Sequence, residues 1–110
     1  MASSTDLLQG TLDLLVLKVL SLGPLHGWAI SQRINAISEQ LLQVNQGSLY
    51  PALHRLEGDG LLAAEWGLSE TARRVRFYKL TRGGHARLAR ETRSWRDYSR
   101  AVDMILDTEA

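Results

Sequence analysis

The chain has 110 residues, 45% of them apolar and 23% charged, with a formal net charge of only +1. These are the proportions of a globular domain, and they exclude wholesale disorder; the lack of cysteine excludes a disulfide framework and a thiolate metal site. No apolar run reaches the roughly 18 residues a membrane span requires, and Met1 to Asp6 lacks the basic start of a signal peptide, so a soluble cytoplasmic protein is expected.

The first predicted element is a helix from about Thr11 to Leu22. Leu12, Leu15, Val16, Val19 and Leu20 recur at helical spacing, with Thr11 as N-cap and Asp13 favourable in the first turn. Leu14 and Leu17 give the helix a second apolar face, so it should be buried on two sides. Gly23-Pro24 ends it. A second helix follows from Gly27 to Ile37 on the spacing of Ile30, Ile34 and Ile37, with Trp28 expected in the core. Ser38 to Gln46 is a polar connection anchored by Leu41, Leu42 and Val44.

A third helix covers Gln46 to Gly58. Leu49, Ala52, Leu53 and Leu56 share one face by the helical step. Gly47, Tyr50, Pro51, His54 and Arg55 fall on the opposite face, flanked by Gln46 and Ser48. Pro51 requires a late start or a bend in the first turns, and Gly58-Asp59-Gly60 supplies the C-terminal stop.

The period then changes to that of strands. Leu61 to Trp66 and Val75 to Leu80 form a predicted hairpin around the polar stretch Gly67 to Ala72. Alternation places Tyr78 and Leu80 on one face and Val75 and Phe77 on the other, with nothing to decide which meets the helices. Trp66 reads as packing. Thr81 can cap a last helix from Gly84 to Leu106, about 34 Å long. Leu88, Thr92, Trp95, Ser99, Val102 and Leu106 form a heptad-like seam on it, with Tyr98 and Ile105 alongside. That seam needs more partner surface than the rest of the chain can spare, and a second copy is the economical answer.

Charge is distributed unevenly along this plan. Residues 1–70 carry three basic groups against seven acids, whereas residues 71–100 carry ten against two, nine of the ten being arginine. Arginine suits planar, two-pronged contact with phosphate. Arg87, Arg90, Arg93, Arg96 and Arg100 fit a solvated helix face equally well, but Arg73, Arg74 and Arg76 sit beside the hairpin turn and point to an anionic partner.

Three helices, an arginine-tipped hairpin and a long helix make an α+β, mainly helical layout: a winged helix-turn-helix with an added C-terminal helix. Its third helix has the width to enter a DNA major groove, and the hairpin can reach neighbouring phosphates. Catalysis is not expected. The three histidines stand on separate elements without metal-ligand spacing, and Gly83-Gly84 is no phosphate-binding loop. No serine stands in a nucleophile elbow and no carboxylates are paired for acid–base work, so neither cofactor nor metal is expected.

Four stretches carry a resemblance: Gly23-Pro24-Leu25-His26-Gly27-Trp28-Ala29-Ile30, Gly47-Ser48-Leu49-Tyr50-Pro51-Ala52-Leu53-His54-Arg55-Leu56-Glu57, Gly60-Leu61-Leu62, and Phe77-Tyr78-Lys79-Leu80-Thr81 followed by Gly84. In these the sequence resembles the PadR family of bacterial transcriptional regulators, in the short form with one C-terminal helix. The resemblance implies a homodimeric repressor with a DNA-binding domain over residues 7–81 and a dimerisation helix over 82–107. It assigns Gln46, Gly47, Ser48, Tyr50, Pro51, His54 and Arg55 to the major groove of double-stranded DNA, and Arg73, Arg74 and Arg76 to the wing. It places Leu14, Leu17, Leu88, Trp95, Val102 and Leu106 in the dimer interface, where some members take small hydrophobic or aromatic effectors and Trp95 would be the lining residue. The wing tip lacks the glycine often found there. The alternative reading is a winged helix that docks on protein, since fold alone does not settle function.

Overall fold

The computed structural model describes residues 9–110; Met1 to Asp6 and the first two residues of the expected domain lie outside the described residues. The first helix, α1 (Gln9–Leu20), is already helical at Gln9, so Thr11 lies inside it and is not its cap. Ser21 to Gly23 close it as a tightened turn, Leu22 and Gly23 donating to carbonyls three residues back.

A two-residue strand, β1 (Leu25–His26), follows and leads directly into α2 (Gly27–Ile37). The buried arc of α2 is Gly27, Ile30, Ser31 and Ile34. Trp28 lies about 100° round the helix from Gly27, and it is 59% exposed rather than part of the core.

The third helix, α3 (Gln46–Gly58), has the expected bounds, and Leu49, Ala52, Leu53 and Leu56 are its buried side. Asn45 caps it, accepting from the Ser48 N–H at 2.8 Å. Pro51 sits within the helix without ending it. The N–H it lacks would have bonded the Gly47 carbonyl, and Gly47 is exposed, so water can take that place. At the other end Leu61 donates to Leu56 and Gly60 to Glu57, the paired bonds of a Schellman stop. Gly60 supplies the positive φ (+77°) that this stop needs.

Strands β2 (Leu62–Leu68) and β3 (Arg74–Leu80) pair antiparallel from Leu62↔Leu80 to Leu68↔Arg74. The sequence predicted two strands; β1 adds a third on the far side of β3, with Leu25 opposite Tyr78 and His26 opposite Phe77. Tyr78 and Leu80 face the helices and are buried. The hairpin is longer than expected, leaving a tip of only Ser69 to Arg73. The tip is closed by Ser69 donating to the Arg73 carbonyl and Ala72 to that of Ser69. Ala72 takes φ +60° there, a conformation that costs an L-residue roughly 1–2 kcal/mol and glycine nothing. Ala72→Gly is therefore expected to raise stability by about 0.5–1 kcal/mol after the extra chain entropy of glycine is subtracted, as read by thermal melting.

Thr81 is the predicted cap of the last helix, α4 (Arg82–Leu106), and its hydroxyl accepts from the Gly84 N–H at 3.0 Å. The same hydroxyl donates to the Gly60 carbonyl at 2.7 Å, and the Thr81 N–H donates to Leu61. Gly84 lies so close that a Cβ built on it would stand 2.2 Å from the Leu61 carbonyl oxygen. The start of α4 is thereby tied to the end of α3. One core joins Val16 and Leu17 of α1, Ile30 of α2, Leu49, Leu53 and Leu56 of α3, and Leu62, Tyr78 and Leu80 of the sheet. From α4 only Leu88 packs at its edge. Thr92 and Trp95 still lie against α1, and beyond them α4 runs clear as an arm, which gives the molecule its 59 Å long axis.

Candidate nucleic-acid interface

The outer face of α3 presents Gly47, Ser48, Tyr50, Pro51 and His54 to solvent. Tyr50, 47% exposed, is held by what lies under it. Its ring crosses Gly27, where a Cβ would stand 2.8 Å from the ring atoms. Only glycine permits that approach. The remaining two residues predicted on this face are turned inward. Gln46 is half-buried and its amide donates to the Ser31 hydroxyl at 2.8 Å, fastening α3 to α2. Arg55 pairs with Asp13 of α1.

That pair bears on how α3 is mounted. Burial lifts the Asp13 carboxyl above the ordinary carboxylate range, and the Arg55 guanidinium only partly offsets it. An acid raised in this way stabilises the fold below its ordinary pKa and loses that contribution as pH climbs through the raised one. Burial likewise pushes the Tyr78 phenol up, against the pull of Arg76.

The wing divides its three arginines. Arg76 points back toward α3, where its Nη2 donates to Glu57 at 2.8 Å. Arg73 and Arg74 at the tip are exposed. The Arg74 guanidinium lies 4.3 Å from the centre of the Trp66 ring. Trp66 is itself 57% exposed, so it is not the packing residue its type suggests. An open groove of about 930 Å³ runs between this hairpin and the starts of α2 and α3, lined among others by Trp28, Tyr50, Trp66, Arg73 and Arg74. Sequence reasoning missed both tryptophans. The available signal for Trp66 was its strand position opposite Arg76, beyond the end of the core-facing register.

The residues predicted at a dimer interface do not behave alike. Leu17 is 1% exposed and fills the protomer's own core, so it has no surface to offer a second copy. Leu14 and Leu88 line a shallow hollow of about 320 Å³ between α1 and α4, together with Leu15, Thr92 and Trp95. Farther along α4, Val102 and Leu106 are exposed, as are Tyr98 and Ile105 beside them. Among the described residues no group of histidine and acidic side chains could hold a metal, and no helix is long and apolar enough to cross a membrane.

The chain is similar to known proteins over the stretch that builds this interface. A family model described as the transcriptional regulator PadR-like family matches residues 16–90. The transcriptional regulator Rv3488 of Mycobacterium tuberculosis is 38% identical over 77 residues, covering 70% of this chain and 68% of that one. Among solved structures, a transcriptional regulator from Clostridium thermocellum superposes with a TM-score of 0.81 at 26% identity, over 91% of this chain and 97% of the other. A PadR-like transcriptional regulator from Bacillus cereus gives 0.80 at 26% identity, over 96% of this chain and all of its own, 100%.

Proposed function

The chain belongs to the PadR-like family of transcriptional regulators, and we propose that it is a homodimeric repressor of a pseudo-palindromic operator. The observation that carries this reading is one groove that brings Tyr50, on the outer face of α3, together with the Arg73–Arg74 wing tip. Short and aromatic groups on a helix of major-groove width can meet base edges, while exposed guanidiniums beside them meet phosphates. Gly47, Ser48, Tyr50, Pro51 and His54 make the base-facing set, and Arg73 and Arg74 the phosphate set. Arg55 and Gln46 serve instead as mounts that set the pitch of α3.

Residues 7–81 form the DNA-binding unit in this reading and residues 82–107 the dimerisation arm. The exposed apolar seam of Trp95, Val102 and Leu106 on an otherwise arginine-rich helix supports pairing of two arms. Two copies of α3 would then address half-sites about one helical turn, roughly 34–36 Å, apart. A small hydrophobic or aromatic effector seated in the hollow beside Trp95 would release DNA by favouring a dimer geometry that no longer matches this spacing.

Selection from random duplex DNA tests the proposal. An inverted repeat is expected to emerge, and Tyr50→Ala is expected to weaken that site by about 1–3 kcal/mol while leaving random DNA nearly unaffected. Arg74→Ala should weaken both and lower the salt slope by about one. Weak, salt-sensitive binding without enrichment would favour docking on protein instead.

A further inference from the structure

We infer that Trp66 is a positioning residue of the DNA interface, holding the Arg74 guanidinium in place for a phosphate; this rests on the DNA-binding reading above. Leu62↔Leu80, Ala64↔Tyr78, Trp66↔Arg76 and Leu68↔Arg74 share one face of the hairpin. At the base that face is core, with Leu62, Tyr78 and Leu80 buried. Toward the tip it leaves the core and becomes a wall of the groove.

Along this face the charge changes from compensated to free. The Arg76 guanidinium lies 5.9 Å from the ring centres of both Trp66 and Tyr78 and bonds Glu57, so its charge is already neutralised. Two residues nearer the tip, the Arg74 guanidinium carbon lies over the same indole, 4.3 Å from its centre. Among the described residues it has no carboxylate within ion-pair distance. A guanidinium seated over a ring keeps the N–H groups turned away from that ring available, and the Arg74 guanidinium donates no side-chain hydrogen bond among the described residues. A side chain that would otherwise sample many rotamers is thus presented to a phosphate already ordered.

A large aromatic ring is thereby left exposed on a strand. Its apolar surface serves as the seat of a cation.

The test is a double-mutant cycle on the full chain, titrating a random-sequence duplex over a range of salt. Trp66→Leu keeps apolar bulk without the π face, and it is expected to weaken binding about three- to fivefold. Its salt slope should match the parent, because no charge has been removed. Trp66→Phe should stay within about twofold of the parent. In an Arg74→Ala background, Trp66→Leu should add almost nothing.

Parental affinity in Trp66→Leu, or losses from Trp66→Leu and Arg74→Ala that simply multiply, would overturn this inference and leave the DNA reading standing. A parent protein that does not bind the duplex would overturn both.

Discussion

In the proposed dimer, Trp95→Asp is expected to separate the two copies and abolish tight operator binding. The residue sits midway along the apolar seam of α4, 46% exposed in the isolated protomer, at the mouth of the hollow formed with α1. In an interface built by a two-fold axis, each residue occurs twice. An unpaired charge forced into such a site costs about 3–5 kcal/mol. Counted on both protomers, that weakens dimerisation by roughly four orders of magnitude or more. Each α3 would then meet its half-site alone, without the gain in effective concentration that a second tethered reading head provides. Sedimentation of the variant at micromolar concentration decides the matter. A persistent dimer would move the interface off this seam, and Val102→Asp would then be expected to have no effect either.

Gly84→Ala is expected to lower the melting temperature by about 10–20 °C, the next largest effect. The added methyl would stand 2.2 Å from the Leu61 carbonyl oxygen. That oxygen cannot swing aside freely, because it accepts the Thr81 N–H at 3.1 Å. Overpacking against fixed backbone costs about 1–3 kcal/mol and occasionally more, while alanine regains up to about 1 kcal/mol of helix propensity. A 2.2 Å approach to backbone belongs at the top of that range or just above it, so the balance is a loss near 2–3 kcal/mol. Gly83→Ala provides the control, since a Cβ there meets nothing closer than 3.6 Å. It should melt at or slightly above the parent temperature. If both variants melted alike, the contact at Gly84 would not be rigid.

The helices α2 and α3 were legible to the residue because a clear apolar period coincides with strong boundaries. The outer face of α3 followed directly from that period. Strand β1 was not legible, since two residues have no period and their partner lies on β3, more than fifty positions away. Helix α1 was ambiguous for another reason. It is apolar on nearly every side, so the sequence did not show whether Leu17 meets its own core or a second copy. The roles of Gln46, Arg55 and Arg76 were hidden because each is settled by a partner far along the chain: Ser31, Asp13 and Glu57. Trp28 and Trp66 were misjudged on residue type alone. Tryptophan is usually well covered, and here both indoles stand at the edges of a groove.

The knot of hydrogen bonds joining Gly60, Leu61, Thr81 and Gly84 has a mechanical consequence. It welds the start of α4 to the end of α3, with the hairpin as the only chain between the two. Torque applied anywhere along α4 is therefore delivered to α3 as a rotation of the whole head. In the proposed dimer, a few degrees of scissoring between two arms would be magnified at the far ends of the heads into a change of reach along the duplex.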